Sequence, residues 1–357
     1  MKYGENDMSI ELERKYAELA VAEATELLKI DSPTGYTTKA AEHVKARFTD
    51  LGYKAGITVK GGVIVDLGGV DDWGGLLLEA HTDTLGLMVC EIKGSGRLRV
   101  TNLGGLHAQS TEGANVRVIT RDGRVYGGTV QLCNASSHVN RNFNDEKRNY
   151  DNMEVVLDEN VYSKEDTAAL GIRNGDLVCL DPKTVVTDNG YIKSRFLDDK
   201  LQVGTLIAYA KYLKDAGTAP IRHTFVHVTV YEEVGHGGAA SVPTGVTEAI
   251  SVDMGCVGDG LECNERKVSI CAKDSGGPYS YELTTRLINA AEKCGADYAV
   301  DIYPMYGSDV ETTLSSGHDV RHGLIGPGVY ASHGYERSHI DGVYNTLKLI
   351  DAFNEKQ

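Results

Sequence analysis

A chain of 357 residues is too long for one small core and suits about two domains. Its formal net charge of −15 weighs against a nucleic-acid partner, whose phosphates need a basic face, and fits both solubility and a site that gathers cations. No apolar run approaches the ~20 residues that cross a bilayer, and the opening MKYGENDMSIELERK has no apolar signal core, so we expect no membrane partner and a cytoplasmic location. The seven cysteines are odd in number and none forms a C-x-x-C pair. That is the pattern of reduced thiols, so any metal should be held by histidine and carboxylate.

Apolar residues at helical spacing predict a helix over 10–29, ended by the turn Asp31-Ser32-Pro33-Thr34-Gly35. A second helix is predicted over 37–51, stopping at Gly52, with short β runs at 53–59 and 62–67. GLLLEA (75–80) is a continuous apolar run, the signature of a strand covered on both faces. From Cys90 to Val186 the texture changes to short alternating runs broken by Gly and Asn. Asp122-Gly123, between VRVIT and RVYGG, is a hairpin signal. This stretch predicts a small all-β domain, with 134–152 as an exposed polar loop. The α/β pattern then resumes with a helix at 199–214, strands at 223–230 and 248–254, a helix at 279–294, a strand at 298–303 and a closing helix at 342–355. One α/β domain is thus interrupted by a β domain.

Four short motifs stand at or beside predicted strand ends: His81-Thr82-Asp83, Asp198-Asp199, Glu232-Glu233 and Asp253. Open α/β sheets gather ligands beyond the carboxyl ends of their strands. A bare carboxylate buried there would cost roughly several kcal/mol unless a partner or a metal neutralised it. On an extended segment residues i and i+2 share a side, so His81 can bind a metal while Asp83 accepts its other ring N–H. Adjacent residues on a strand diverge, so one of Glu232 and Glu233 can bind a metal while the other serves as a base. Each motif alone has a plainer reading: a chance pair, a solvated acidic pair, or, for Asp198-Asp199, a helix N-cap.

The set in this order is far more specific than any member. It resembles the TET-type metalloaminopeptidases, the group that includes bacterial glutamyl aminopeptidases. The matching pieces are AHTDTLG (80–86), FLDDK (196–200), YEEVG (231–235), SVDMG (251–255), GSDVETTLSSG (307–317) and a carboxy-terminal His segment. The resemblance implies two divalent metal ions, Zn²⁺ or Co²⁺ foremost and Mn²⁺ as an alternative. One would be held by His81, Asp198 and Asp253, the other by Asp198, Glu233 and a late histidine, with Asp198 bridging. Glu232 would be the general base and Asp83 would orient His81. The final segment, SHGYERSHID (332–341), offers both His333 and His339. We favour His339, because Arg337 precedes it closely and the closing helix follows, and leave His333 to substrate contact or structure.

The implied fold is a three-layer α/β/α domain on a mixed sheet, residues 1–89 and 187–357, with a β-barrel-like insert at 90–186. The implied activity is removal of N-terminal residues from short peptides, with a metal-activated water and Glu232 passing its proton to the leaving amine. The implied assembly is a homo-oligomer built through the insert, commonly a dodecamer. A related carboxypeptidase or deacylase shares the ligand set, but its extra domain lies late, whereas the long insertion here lies between His81 and Asp198. A glycosidase needs two carboxyl groups ~5–9.5 Å apart across one bond, which neighbouring residues on a strand serve poorly. A non-catalytic binding protein would have no use for the complete residue set.

Overall fold

The computed structural model describes residues 12–354; the opening segment, and the ends of the predicted first and last helices at 10–11 and 355, lie outside them. The first helix, Lys15–Leu28, buries Tyr16, Ala17, Ala20, Ala24, Leu27 and Leu28, the stripe its periodicity predicts. It packs on the helix Leu197–Ala216, which is buried along most of its length. Their approach depends on Gly204, where a Cβ would lie 2.4 Å from the Ala20 carbonyl oxygen. The apolar run at 75–80 lies within the strand Asp71–His81. Leu76 and Leu78 join the main core on one face, while Leu77 packs on the other with Tyr303, Val310 and Leu324. That two-sided burial is why the run does not alternate.

The sheet has twelve strands. Its centre is four parallel neighbours in the order Arg222–Thr229, Asp71–His81, Val246–Val252 and Arg321–Tyr330. Antiparallel strands extend it on both sides, including Glu336–His339 beside Arg321–Tyr330 and Tyr191–Ser194 beside Glu336–His339. Two antiparallel steps return Tyr191–Ser194 to the direction of the central four, so five strand ends open on one edge.

The insert is a closed six-stranded barrel whose strands run from Gly86–Ile92 to Leu177–Leu180. The predicted hairpin pairs Ile119 with Val125 across Asp122-Gly123, with Gly123 at φ +84°. The insert is not wholly β: Lys164–Ala169 is a short helix, started by a capping box between Ser163 and Asp166. The segment 134–152 is irregular, and Tyr150 ties it to the Leu106 carbonyl. The barrel begins five residues after His81 and returns to the sheet just before Asp198, so both junctions lie beside the functional edge. Among the described residues no helix is long and apolar enough to cross a membrane.

Candidate metal centre and cleft

The strand ends deliver the candidate residues one by one. His81 closes the strand Asp71–His81, and Asp253 directly follows Val246–Val252. Glu232 and Glu233 follow Arg222–Thr229, His333 follows Arg321–Tyr330, and Asp198 follows Tyr191–Ser194. His81, Asp198 and Asp253 are all buried, and one ligand atom from each lies within 4.8 Å of the others.

Asp198 faces two ways. Its Oδ1 is 3.1 Å from His81 Nε2, and its Oδ2 is 3.6 Å from His333 Nε2. His333 Nε2 is also 3.7 Å from Glu233 Oε2. Both imidazoles are oriented by main-chain carbonyls, which can only accept. His81 Nδ1–H donates to the Asp83 carbonyl at 2.9 Å, and His333 Nδ1–H donates to the Gly105 carbonyl at 3.2 Å. Each Nε2 is left pointing at the carboxylates. Gly105, on an insert loop, has to be glycine for this: a Cβ there would sit 2.7 Å from His333 Nδ1.

Two expectations are corrected here. His339 is not at the site. The strand Glu336–His339 runs antiparallel to Arg321–Tyr330, so each step carries it away from the functional edge. Three residues on, His339 lies roughly 10 Å down the strand. Its Nε2–H donates to the Asn189 carbonyl at 2.8 Å and its Nδ1 accepts from the Asp341 N–H at 3.0 Å, so neither nitrogen is free for a metal. Arg337, which drew attention to it, stacks over the Tyr191 ring instead. The second correction concerns Asp83. Its main-chain oxygen, not its carboxylate, receives the His81 N–H; Oδ1 is 3.6 Å from that nitrogen. The carboxylate accepts from the Glu232 N–H (3.1 Å) and the Thr34 hydroxyl (2.7 Å), and so fixes the Glu232 backbone.

Glu232 and Glu233 occupy a single 3-10 turn, Glu232–Val234, rather than extended strand. Their divergence survives because neighbours on such a turn are roughly 120° apart. Glu232 Oε2 is 3.7 Å from His81 Nε2. Tyr231, just before the turn, has φ +71°; Phe196, Ala331 and His333 are also left-handed. These non-glycine residues crowd around the site, where such conformations concentrate.

Two buried carboxylates have roles that the sequence reading did not assign. Glu336 accepts from the main-chain N–H groups of both Asp198 and His333, each at 3.1 Å. Asp199 accepts from the His81 N–H at 3.0 Å and from the Gln202 amide. Asp199 stood in the Asp198-Asp199 motif without a role of its own, and only the packing of distant segments reveals what either carboxylate does. His227, by contrast, is a core residue paired with Glu79 at 3.2 Å.

The electrostatics describe a cluster with too much negative charge. Burial, reinforced by Asp198, pushes the Asp253 carboxyl up to about 7. Burial also holds Glu232 and Glu233 well above the carboxylate range, with repulsion from Asp309 and Asp253 adding to the first and from Asp198 to the second. Burial would lower His81, but Glu232, Asp198 and Asp199 outweigh it and hold the imidazole well above its ordinary value. Burial raises Asp198 too, yet its bond to His81 wins and keeps it low. The residues open onto a cleft of about 570 Å³, also lined by Met254, Cys256, Met305, Tyr306, Glu311 and, from the insert, His107.

The profile of the M42 glutamyl aminopeptidase family matches residues 61–349. A Bacillus subtilis (strain 168) protein, YhfE, named as a candidate aminopeptidase, is 42% identical over 325 residues, covering 91% of this chain and 94% of its own. Among solved structures, an aminopeptidase of the archaeon Desulfurococcus kamchatkensis superposes with a TM-score of 0.84 at 23% identity, over 96% of both chains. The TET1 peptidase of Pyrococcus horikoshii, which can assemble into a tetrahedron or a large octahedral shell, gives 0.82 at 22% identity, over 95% of this chain and 100% of its own. The strand-end cluster, the barrel insert and the extent of these matches together establish that the chain belongs to the M42 glutamyl aminopeptidase family.

Proposed function

We propose that this aminopeptidase-family chain is a metal-dependent enzyme that removes N-terminal residues from short peptides at the strand-end cluster. The observation that carries the reading is the two-sided Asp198, with His81 and Asp253 on one flank and Glu233 and His333 on the other. The donor set fits divalent cations. Buried carboxylates converge with two oriented imidazoles, and no Lys or Arg lines the cleft among the described residues. Histidine nitrogen and carboxylate oxygen suit Zn²⁺, Co²⁺ or Mn²⁺.

His81, Asp198 and Asp253 would hold one ion, and Asp198, Glu233 and His333 the other. When bound, two such ions supply Lewis acidity toward a carbonyl and make a water more acidic. Glu232 takes the proton of the attacking water and delivers it to the leaving amine as the C–N bond breaks. Asp83 and the left-handed Tyr231 fix the Glu232 backbone for that transfer. Glu336 and Asp199 hold the main chain of Asp198, His333 and His81. We further propose a homo-oligomer built through the barrel, as the named assemblies of the Pyrococcus horikoshii relative suggest, and a cytoplasmic location.

The test is a panel of aminoacyl chromogenic substrates, assayed after chelation and again with Zn²⁺, Co²⁺ or Mn²⁺ restored. Activity should vanish with chelator, return with metal and require a free α-amino group. Equal cleavage of N-acetylated substrates, or indifference to chelation, would remove the proposal.

A physical prediction accompanies it. Asp253, Glu232 and Glu233 have folded-state pKa values above their unfolded ones, so the metal-free folded state binds more protons than the unfolded chain. Their stabilising protonation is lost as pH rises through the folded values, and the raised His81 acts in the same direction. Asp198, held low, opposes them. The metal-free protein should therefore melt at lower temperature as pH rises from about 5 to about 7.5, and divalent cations should cancel the trend. Melting curves with and without chelator check this; a chelated protein that melts higher at the upper pH would contradict it.

A further inference from the structure

Beyond the metal-ligand cluster the cleft changes character. Its lining there includes Met254, Cys256, Met305 and Tyr306 beside Ser308 and Thr312. Tyr306 is fixed there: its hydroxyl donates to the Met254 carbonyl at 3.1 Å and its main-chain N–H to Ser275 Oγ at 3.0 Å. Glu311, in the first turn of the helix Asp309–Ser315, is half-buried where the cleft meets a second groove beside Gly276 and Pro278. No Lys or Arg lines either hollow among the described residues.

Nearby cations are otherwise engaged. Lys273 donates to the Asp274 carbonyl at 2.6 Å, and burial lowers the His322 pKa against the opposing pull of Asp274. Asp274 is buried behind Glu311 and accepts from the Tyr279 hydroxyl and the Gly276 N–H. Burial, with Asp274 alongside, pushes the Glu311 carboxyl up to about 8. That is the behaviour of a carboxyl held against a second acid, whose repulsion the nearby Lys273 offsets only in part.

We propose that this arm of the cleft receives the side chain of the substrate's first residue and selects lysine or arginine, with the aliphatic stem against Met254, Met305 and Tyr306 and the cationic head on Glu311. The inference rests on the aminopeptidase reading above. An acidic first residue would be repelled by the adjoining Glu311 and Asp274 carboxyls, and a neutral one would leave that acidic pair with no lysine or arginine lining the hollow among the described residues.

Two measurements test it. In metal-free protein, lysine amide should bind about 10-fold more tightly than norleucine amide, which lacks only the ammonium, and Glu311→Gln should bring that ratio close to one. In metal-restored enzyme, Lys and Arg anilides should exceed the Glu anilide in kcat/KM by at least about 100-fold. Glu311→Gln should remove about 10-fold of the Lys-to-norleucine preference, and Glu311→Asp should keep part of it. A wild-type preference for Glu, or a Lys-to-norleucine ratio unmoved in a folded Glu311→Gln protein, would overturn the assignment. If no anilide were cut at all, the aminopeptidase reading would fall, and the amide-binding ratio in metal-free protein would still decide the role of Glu311.

Discussion

Glu232→Gln is expected to retain its full metal content and to lose about 10²–10⁴-fold in kcat. The amide matches the carboxylate in shape, so the 3-10 turn, the Glu232 N–H bond to Asp83 and the left-handed Tyr231 should all persist. What disappears is the capacity to take up a proton. Glu232 Oε2 lies 3.7 Å from His81 Nε2, so it borders the ligand set, while His81, Asp198 and Asp253 make the close group without it. Burial raises its pKa, which suits a group that must accept a proton from water and then release it to an amine. Paired measurements of metal by elemental analysis and of kcat decide the matter. Full activity would remove the base role, and loss of metal would make Glu232 a ligand instead.

This prediction depends on a direction that sequence could supply only in part. That Glu232 and Glu233 diverge was legible, but the reason was not. An extended strand and a 3-10 turn both separate neighbours, and nothing in YEEVG distinguishes them without the positive φ at Tyr231 and Gly235. His81-Thr82-Asp83 behaved similarly. Proximity followed from spacing, yet the bond went to the Asp83 carbonyl, because the carboxylate was taken by Thr34 and the Glu232 N–H.

Periodic elements were the most legible. The run at 75–80 and the helix near 199–214 have patterns set by how they are buried, and burial leaves a direct trace in composition. The strand Arg321–Tyr330 left less trace. RHGLIGPGVY holds three glycines and a proline, which read as loop, although Gly326 and Gly328 are there because main chain from 253 and 264 crosses close above them. Missing that strand removed the means of placing His333 at a carboxyl end. The parts played by Glu336, Asp199 and Glu311 were invisible for a different reason. Two accept from main chain 118 and 138 residues away, and the third lies against Asp274 on another loop.

The pair His333→Ala and His339→Ala carries the other large effect. His333→Ala should weaken binding of one of the two proposed metals by at least about 100-fold, since loss of mere outer partners already costs about 10–100-fold. The folded state should persist, because the His333 ring is partly exposed and hydrogen-bonds to the Gly105 carbonyl on a loop. His339→Ala should show the reverse: full metal content, with a loss of stability of about 1–3 kcal/mol. Its buried ring joins the Asn189 carbonyl to the Asp341 N–H and lies edge-on to Tyr191, so truncation strands two main-chain groups and opens a void where strand passes into closing helix. Metal stoichiometry and melting temperature, measured on both variants, separate a ligand from a structural clamp. If His339→Ala lost metal while His333→Ala kept it, the antiparallel return of Glu336–His339 could not be the arrangement that operates in solution, and the assignment of the second ion would have to move with it.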